Sequence, residues 1–176
     1  MSVENRLTNL PWFDPTPGSH VARAAMMYLA VQNEAGHLCP VSMTFSCVPA
    51  LKRQPDVFAH FESGLMSNRY DQRFIPAGQK RGLLFGMALT EKQGGSDVRT
   101  NTMEAKPVNA RGPGQLYELT GHKWFCSHPM SDAFVMLAQA EGGLSCFLVP
   151  RFSPSGERNQ IRLQRLKNKL GNRSNA

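Results

Sequence analysis

The sequence changes its periodicity once, near residue 80, and that change limits the chain to a helical part followed by a strand-rich part. Before it, apolar residues recur at helical spacing; after it, short apolar or alternating runs are cut by Gly, Pro and Asn. Between Gly18 and Gly36 the run GSHVARAAMMYLAVQNEAG is rich in Ala and Met, opens on Ser19 as a cap and closes on a glycine suited to a helix stop. Val21, Ala25, Tyr28, Leu29 and Gln32 approximate one stripe, mostly apolar, which predicts packing on other helices. A second helix is expected after Pro40, carrying Met43, Phe45, Val48 and Leu51, with Pro49 kinking it or ending it early. A third is expected over Val57 to Leu65, where Val57, Phe58, Phe61 and Leu65 fall at helical offsets.

From Gly82 onward six runs read as strands: GLLFGMALT, NTMEAKPV, QLYELTGHKWFCS, AFVMLAQA, LSCFLVP and IRLQRLKN. LYELTG alternates well, whereas IRLQRLKN mixes apolar and basic residues on both faces and is the weakest. Gly112, Pro113 and Gly114 form one turn, and EGG at 141–143 another. The expected fold class is α+β, with a partial helical domain over residues 1–80 and most of an antiparallel β-barrel or sandwich over 81–176. The final LKNKLGNRSNA follows a strand pattern with no closing partner, and complete domains usually cover such an edge. The chain is therefore expected to be part of a larger protein.

Composition acts by exclusion. No run reaches the ~18 apolar residues of a membrane span, and MSVENRLTNLPWFDP lacks the apolar stretch of a signal peptide. A soluble, cytoplasmic protein with no membrane partner is expected. Cys39, Cys47, Cys126 and Cys146 include no C-x-x-C pair and the histidines no H-x-x-x-H pair, so no metal is expected. The net charge is +7, and Arg151, Arg158, Arg162, Arg165, Lys167, Lys169 and Arg173 face only Glu157 near the end. An anionic partner fits that excess, but a solvated strand face and loop fits it better than a nucleic-acid site.

Two separated segments could carry chemistry. In MALTEKQGGSDV, Met87 to Val98, Gly94 and Gly95 allow backbone N–H groups to approach an anion, Ser96 can donate to a phosphate oxygen, and Thr90 can meet a planar polar ring. An ordinary strand-to-loop turn with a local Ser-Asp cap accounts for the same composition and is the commoner explanation of such a run alone. No G-x-G-x-x-G pattern or following helix points to a Rossmann site. In TGHKWFCSHP, Thr120 to Pro129, Phe125 and Ser127 stand two apart and would share one strand face, an apt pairing beside a flavin ring and its N5. Taken alone, Trp124 and Phe125 read better as core, the usual fate of aromatics in strands. His122 and His128 suit structural roles better than acid-base ones.

Together the segments resemble the acyl-CoA dehydrogenase family, in which T-E-x-x-x-G-S-D is followed about thirty residues later by G-x-K-x-W-I-T, both lining FAD. The counterparts here are TEKQGGSD, Thr90 to Asp97, and GHKWFCS, Gly121 to Ser127. SHVARAA, AGHLCP, GGLSCFLVPR and RLKNKLGNRSNA are similar to the AidB-like branch, associated with the bacterial response to alkylating agents. The resemblance implies that Met87, Ala88, Leu89, Thr90, Glu91, Lys92, Gln93, Gly94, Gly95 and Ser96 form one cofactor-lining strand and turn. In it, Thr90 would hydrogen-bond the isoalloxazine while Ser96 and the backbone of Gly94 and Gly95 approach the pyrophosphate. It further implies that Phe125 packs by the flavin ring and Ser127 sits near N5, with Cys126 between them. Phe125, Cys126 and Ser127 stand where many relatives have Trp, Ile and Thr; the aromatic packing and the hydroxyl survive, and the role of Cys126 stays open.

The family's reaction removes a proton alpha to a thioester carbonyl with a glutamate and passes the beta hydrogen to flavin N5 as hydride. That glutamate comes from a helical domain following the portion seen here, and no residue of this chain matches it, so the chain alone is expected to be inactive. The parent reads either as an acyl-CoA oxidoreductase or as a flavin-containing protein that binds duplex DNA through the missing region, in both cases a homotetramer. A structural module that binds nothing is the third reading.

Overall fold

The computed structural model describes residues 1–176. The short α1 (Leu10–Phe13) is followed by α2 (Ser19–Val31), α3 (Leu38–Leu51) and α4 (Pro55–Leu65). Gly18, at φ +87°, turns the chain into α2 and occupies the cap position, so Ser19 lies inside the first turn and makes no capping bond. The helix ends at Val31, five residues before Gly36. Its expected packing stripe faces outward: Val21, Tyr28 and Leu29 are 73%, 68% and 65% exposed. The covered face is Ala30 with Met26 and Met27, set against Leu7, Leu38 and Val41. An apolar stripe marks a face that gains from cover, but not which neighbour supplies it.

Helix α3 begins two residues before Pro40 and runs through Pro49 to Leu51. A proline in a helix leaves the carbonyl four residues earlier without its donor. Here that carbonyl is Phe45's, and the Trp12 indole N–H donates to it at 3.0 Å while the indole stacks on the Phe45 ring at 4.9 Å. The tertiary contact replaces the missing helical bond, so Pro49 neither ends the helix nor leaves an orphaned group.

Five strands follow: β1 (Phe85–Ala88), β2 (Glu104–Pro107), β3 (Tyr117–Thr120), β4 (Ala133–Ala140) and β5 (Gly143–Pro150). They form one mixed sheet. Strand β4 pairs antiparallel with β5 along its whole length, in parallel with β1 over Ala133–Met136, and in parallel with β2 at Gln139; β2 and β3 are antiparallel. The architecture is α+β, helices first, as expected, but the pairing is not wholly antiparallel. The β1 and β2 contacts to β4 are reached through long connections, which permit parallel alignment.

Two strand expectations fail. Residues 161–168 form no strand, since Leu163 and Leu166 are 54% and 74% exposed and no neighbour is available to complete a ladder. The run through Ser127 stops at Thr120; at Gly121, φ +155°, an added Cβ would come within 2.8 Å of the Met103 Cα, so the close approach there requires glycine.

The core sits between α3, α4 and the sheet, where Cys47, Val48, Leu51, Phe58, Phe61, Leu65 and Phe85 form one cluster. Helix α3 also closes the β1 edge: Thr44 Oγ1 accepts from the Phe85 amide at 3.0 Å, and the Met87 amide points at Met43 Sδ, 3.3 Å away. This docking fixes β1, from which the first candidate segment departs.

Candidate functional site

The first segment leaves β1 at Ala88, turns through residues 91–94 and reaches a 3-10 turn at Val98–Thr100, which the Asp97 side chain caps through the Arg99 amide. Met87 packs toward the helical core and Ala88, 1% exposed, toward Met103, Ala105, Phe134 and Met136. The Leu89 carbonyl accepts from Asn101 Nδ2 at 2.9 Å. Lys92, Gln93, Gly94, Gly95 and Ser96 are exposed. Gly94 takes φ +124°, favoured by glycine, and a Cβ on Gly95 would lie 2.5 Å from Thr90 Oγ1. The amides of Gly95 and Ser96 make no hydrogen bond within the chain.

The second segment lies beside the first. The Trp124 amide donates to the Thr90 carbonyl at 2.8 Å, and the buried Lys123 ammonium lies 2.8 Å from Glu91 Oε1. Glu91 is itself 2% exposed. Its carboxylate accepts from the Thr102 amide and hydroxyl, the Met103 amide, Gln93 Nε2 and Lys123 Nζ. Burial pushes this carboxyl up, but Lys123 and the surrounding donors outweigh it and bring it down to about 2. The side chain is thus turned into the protein, where it joins the 87–96 segment to β2 and to residue 123. The resemblance supplied Glu91 as a cofactor contact; its observed partners are all within the chain. Lys123 was not among the expected site residues, although it stands inside the second motif and the acid it meets, Glu91, inside the first.

Phe125 is 51% exposed, and the Lys167 ammonium rests 3.6 Å from its ring centroid while donating to the Trp124 carbonyl. Cys126 is half-buried against the Phe134 and Met136 cluster; burial raises its thiol, with Arg151 and Lys167 pulling weakly the other way, so it stays protonated. The Ser127 carbonyl accepts from the Ala176 amide at 3.0 Å. His128 Nδ1 is 2.9 Å from Ser131 Oγ, and burial, then Lys80 and Arg151, lowers its basicity. A broad concave face, lined by Phe61, Tyr117, Leu119, Trp124, Phe147 and Val149, opens nearby; of the thirteen candidate residues only Ala88 and Cys126 reach it.

Neither segment is a Rossmann turn, and their chemistry suits an extended nucleotide: free amides at a glycine turn for an anion, a hydroxyl at Thr90, and an exposed ring at Phe125. In donor set the segments fit FAD.

Comparison with known proteins adds the following. Residues 1–72 match the model of the adaptive response protein AidB N-terminal domain, and residues 86–176 match that of the acyl-CoA dehydrogenase middle domain. The chain is 56% identical to AidB of Escherichia coli (strain K12) over 174 residues, 98% of this chain and 31% of that protein. Among solved structures it is similar to the apo form of Bd2924, with a TM-score of 0.80, 28% identity, and coverage of 99% of this chain and 35% of that one. It is also similar to Caenorhabditis elegans ACDH-11 in complex with C11-CoA, with a TM-score of 0.78, 25% identity, and coverage of 97% and 30%. The chain thus spans about a third of the length of these relatives.

Proposed function

This chain belongs to the acyl-CoA dehydrogenase family, and from that premise we propose that residues 87–96 and 125–127 form one wall of the FAD site of a flavoprotein that oxidises acyl-CoA thioesters. The observation that carries the reading is the junction of the two segments: Trp124 bonds to Thr90 at 2.8 Å and Lys123 pairs with Glu91 at 2.8 Å. Two segments about thirty residues apart therefore act as one rigid surface.

In this reading the Thr90 hydroxyl hydrogen-bonds the isoalloxazine, and the unpaired amides of Gly95 and Ser96 receive the pyrophosphate. Phe125 meets the ring system with the part of its face that Lys167 leaves open, and Ser127 offers its hydroxyl near N5. When bound, FAD supplies the acceptor for the substrate's beta hydrogen as hydride. The residues of this chain hold and orient the cofactor and contribute no base, the family's glutamate having no counterpart among them. An acyl-CoA thioester is the proposed partner, supported by ACDH-11, whose structure holds C11-CoA. A homotetrameric assembly in the cytoplasm completes the reading.

The match of residues 1–72 to the AidB N-terminal domain favours a second reading, a flavin-containing protein of the alkylation response that binds duplex DNA through regions outside this chain and has little dehydrogenase activity. The natural-length protein decides between them. Turnover of an acyl-CoA panel with an electron acceptor supports the first; no turnover, with duplex DNA binding that weakens steeply as salt rises, supports the second. Protein purified without flavin, and unable to take up FAD, would contradict both.

A further inference from the structure

Arg151, just past β5, is 3% exposed, yet its Nε has no hydrogen-bond partner. Its Nη2 donates to the Pro129 carbonyl, and its guanidinium lies 5.0 Å from the Phe134 centroid and 5.6 Å from that of Phe74. The Arg158 guanidinium stands 5.1 Å over the same Phe74 ring, which also packs on Phe152 at 5.3 Å. Arg151, Arg158 and Arg162, with Phe74 and Met130, line one cavity of about 910 Å³. None of the three arginines is in an ion pair. The carboxylate that acts on Arg151, that of Asp132, gives its oxygens to Lys80 at 2.6 Å and to the Leu84 amide at 2.9 Å.

A buried guanidinium with an unpaired N–H is costly unless something supplies an acceptor. Here two further arginines line the same cavity with no carboxylate paired to them, and the Phe74 face helps hold two of the three forks. Planar forks of this kind match the oxygens of a tetrahedral dianion bidentately. We propose that this cavity is a binding site for a small phosphomonoester, with Arg151 as the buried anchor, Arg158 and Arg162 as the outer clamps, and Phe74 and Met130 as the apolar floor for the ester's organic group. The site borders the flavin wall at Cys126 but shares no lining residue with it.

The test is calorimetric titration of the natural-length protein, at low ionic strength, with inorganic phosphate and with adenosine monophosphate. The expected result is saturable binding of both, tighter for the monophosphate, and a loss of about tenfold or more in Arg158→Gln/Arg162→Gln, the size of a lost charge-assisted hydrogen bond. Those two residues are exposed, so the double variant should fold. Arg151→Lys, which keeps the charge and loses the fork, should weaken binding similarly. Absence of binding, equal affinity in the double variant, or binding at these arginines of a duplex DNA oligomer but not of either phosphate, would overturn the proposal.

Discussion

Glu91 and Lys123 each leave water for the other, and a buried pair of this kind is weakly stabilising while intact but costly to break. Glu91→Gln or Lys123→Met should each destabilise the protein by ~3–5 kcal/mol in urea unfolding, because each leaves a buried charge or donor unmatched. The pH dependence has a definite sign. The folded carboxyl lies at about 2, below its ordinary 4.5, so its contribution is complete above about 4.5 and is lost as the pH falls toward about 2. Unfolding midpoints measured across that window should fall with acidification, and the fall should be shallower in Glu91→Gln. An equal slope in the variant would assign the acid lability to other carboxylates. That Glu91 faces inward was not legible from its motif, because a sequence pattern says which residues recur together and not which way each points. Only the five donors gathered around it distinguish a structural acid from a cofactor contact.

Helix α3 shows the same limit one scale up. Pro49 predicts a kink or an early end, yet the helix continues to Leu51, and an indole thirty-seven residues earlier in sequence serves the Phe45 carbonyl that the proline leaves without a donor. Trp12→Phe keeps a ring at the stack but orphans that carbonyl, and should cost ~1–3 kcal/mol. In a Pro49→Ala background the new amide can serve the carbonyl, so the cost of Trp12→Phe should shrink; a double-mutant cycle on thermal unfolding measures the difference. Additive costs would mean that the indole bond does not compensate the proline. Elements whose signals were local were legible: α4, β4, β5 and the 141–143 turn lie close to where periodicity puts them. Elements that depend on a distant neighbour were not. Residues 161–168 alternate after a fashion yet find no partner, and the run ending in Ser127 leaves the sheet at Gly121, packed against Met103.

Across the whole molecule, the outward stripe of α2 and the apolar concave face beside β3 and β5 are two surfaces that a chain on its own exposes to water. Expressed alone, the 176-residue chain should bind a hydrophobic dye and self-associate. Val21→Lys/Tyr28→Lys should reduce that association, as seen by light scattering, while unchanged scattering would locate the contact elsewhere. The functional claim rests on a smaller feature, the Thr90 and Gly95 contact at the centre of the proposed FAD wall, where an added Cβ would come within 2.5 Å of the hydroxyl. The direct measurement is flavin content per protomer of the natural-length protein, wild type against Gly95→Val, with circular dichroism to confirm that both are folded. The account predicts a flavin-loaded wild type and a folded Gly95→Val that has lost most of its FAD; a folded variant holding as much flavin as the wild type would contradict it.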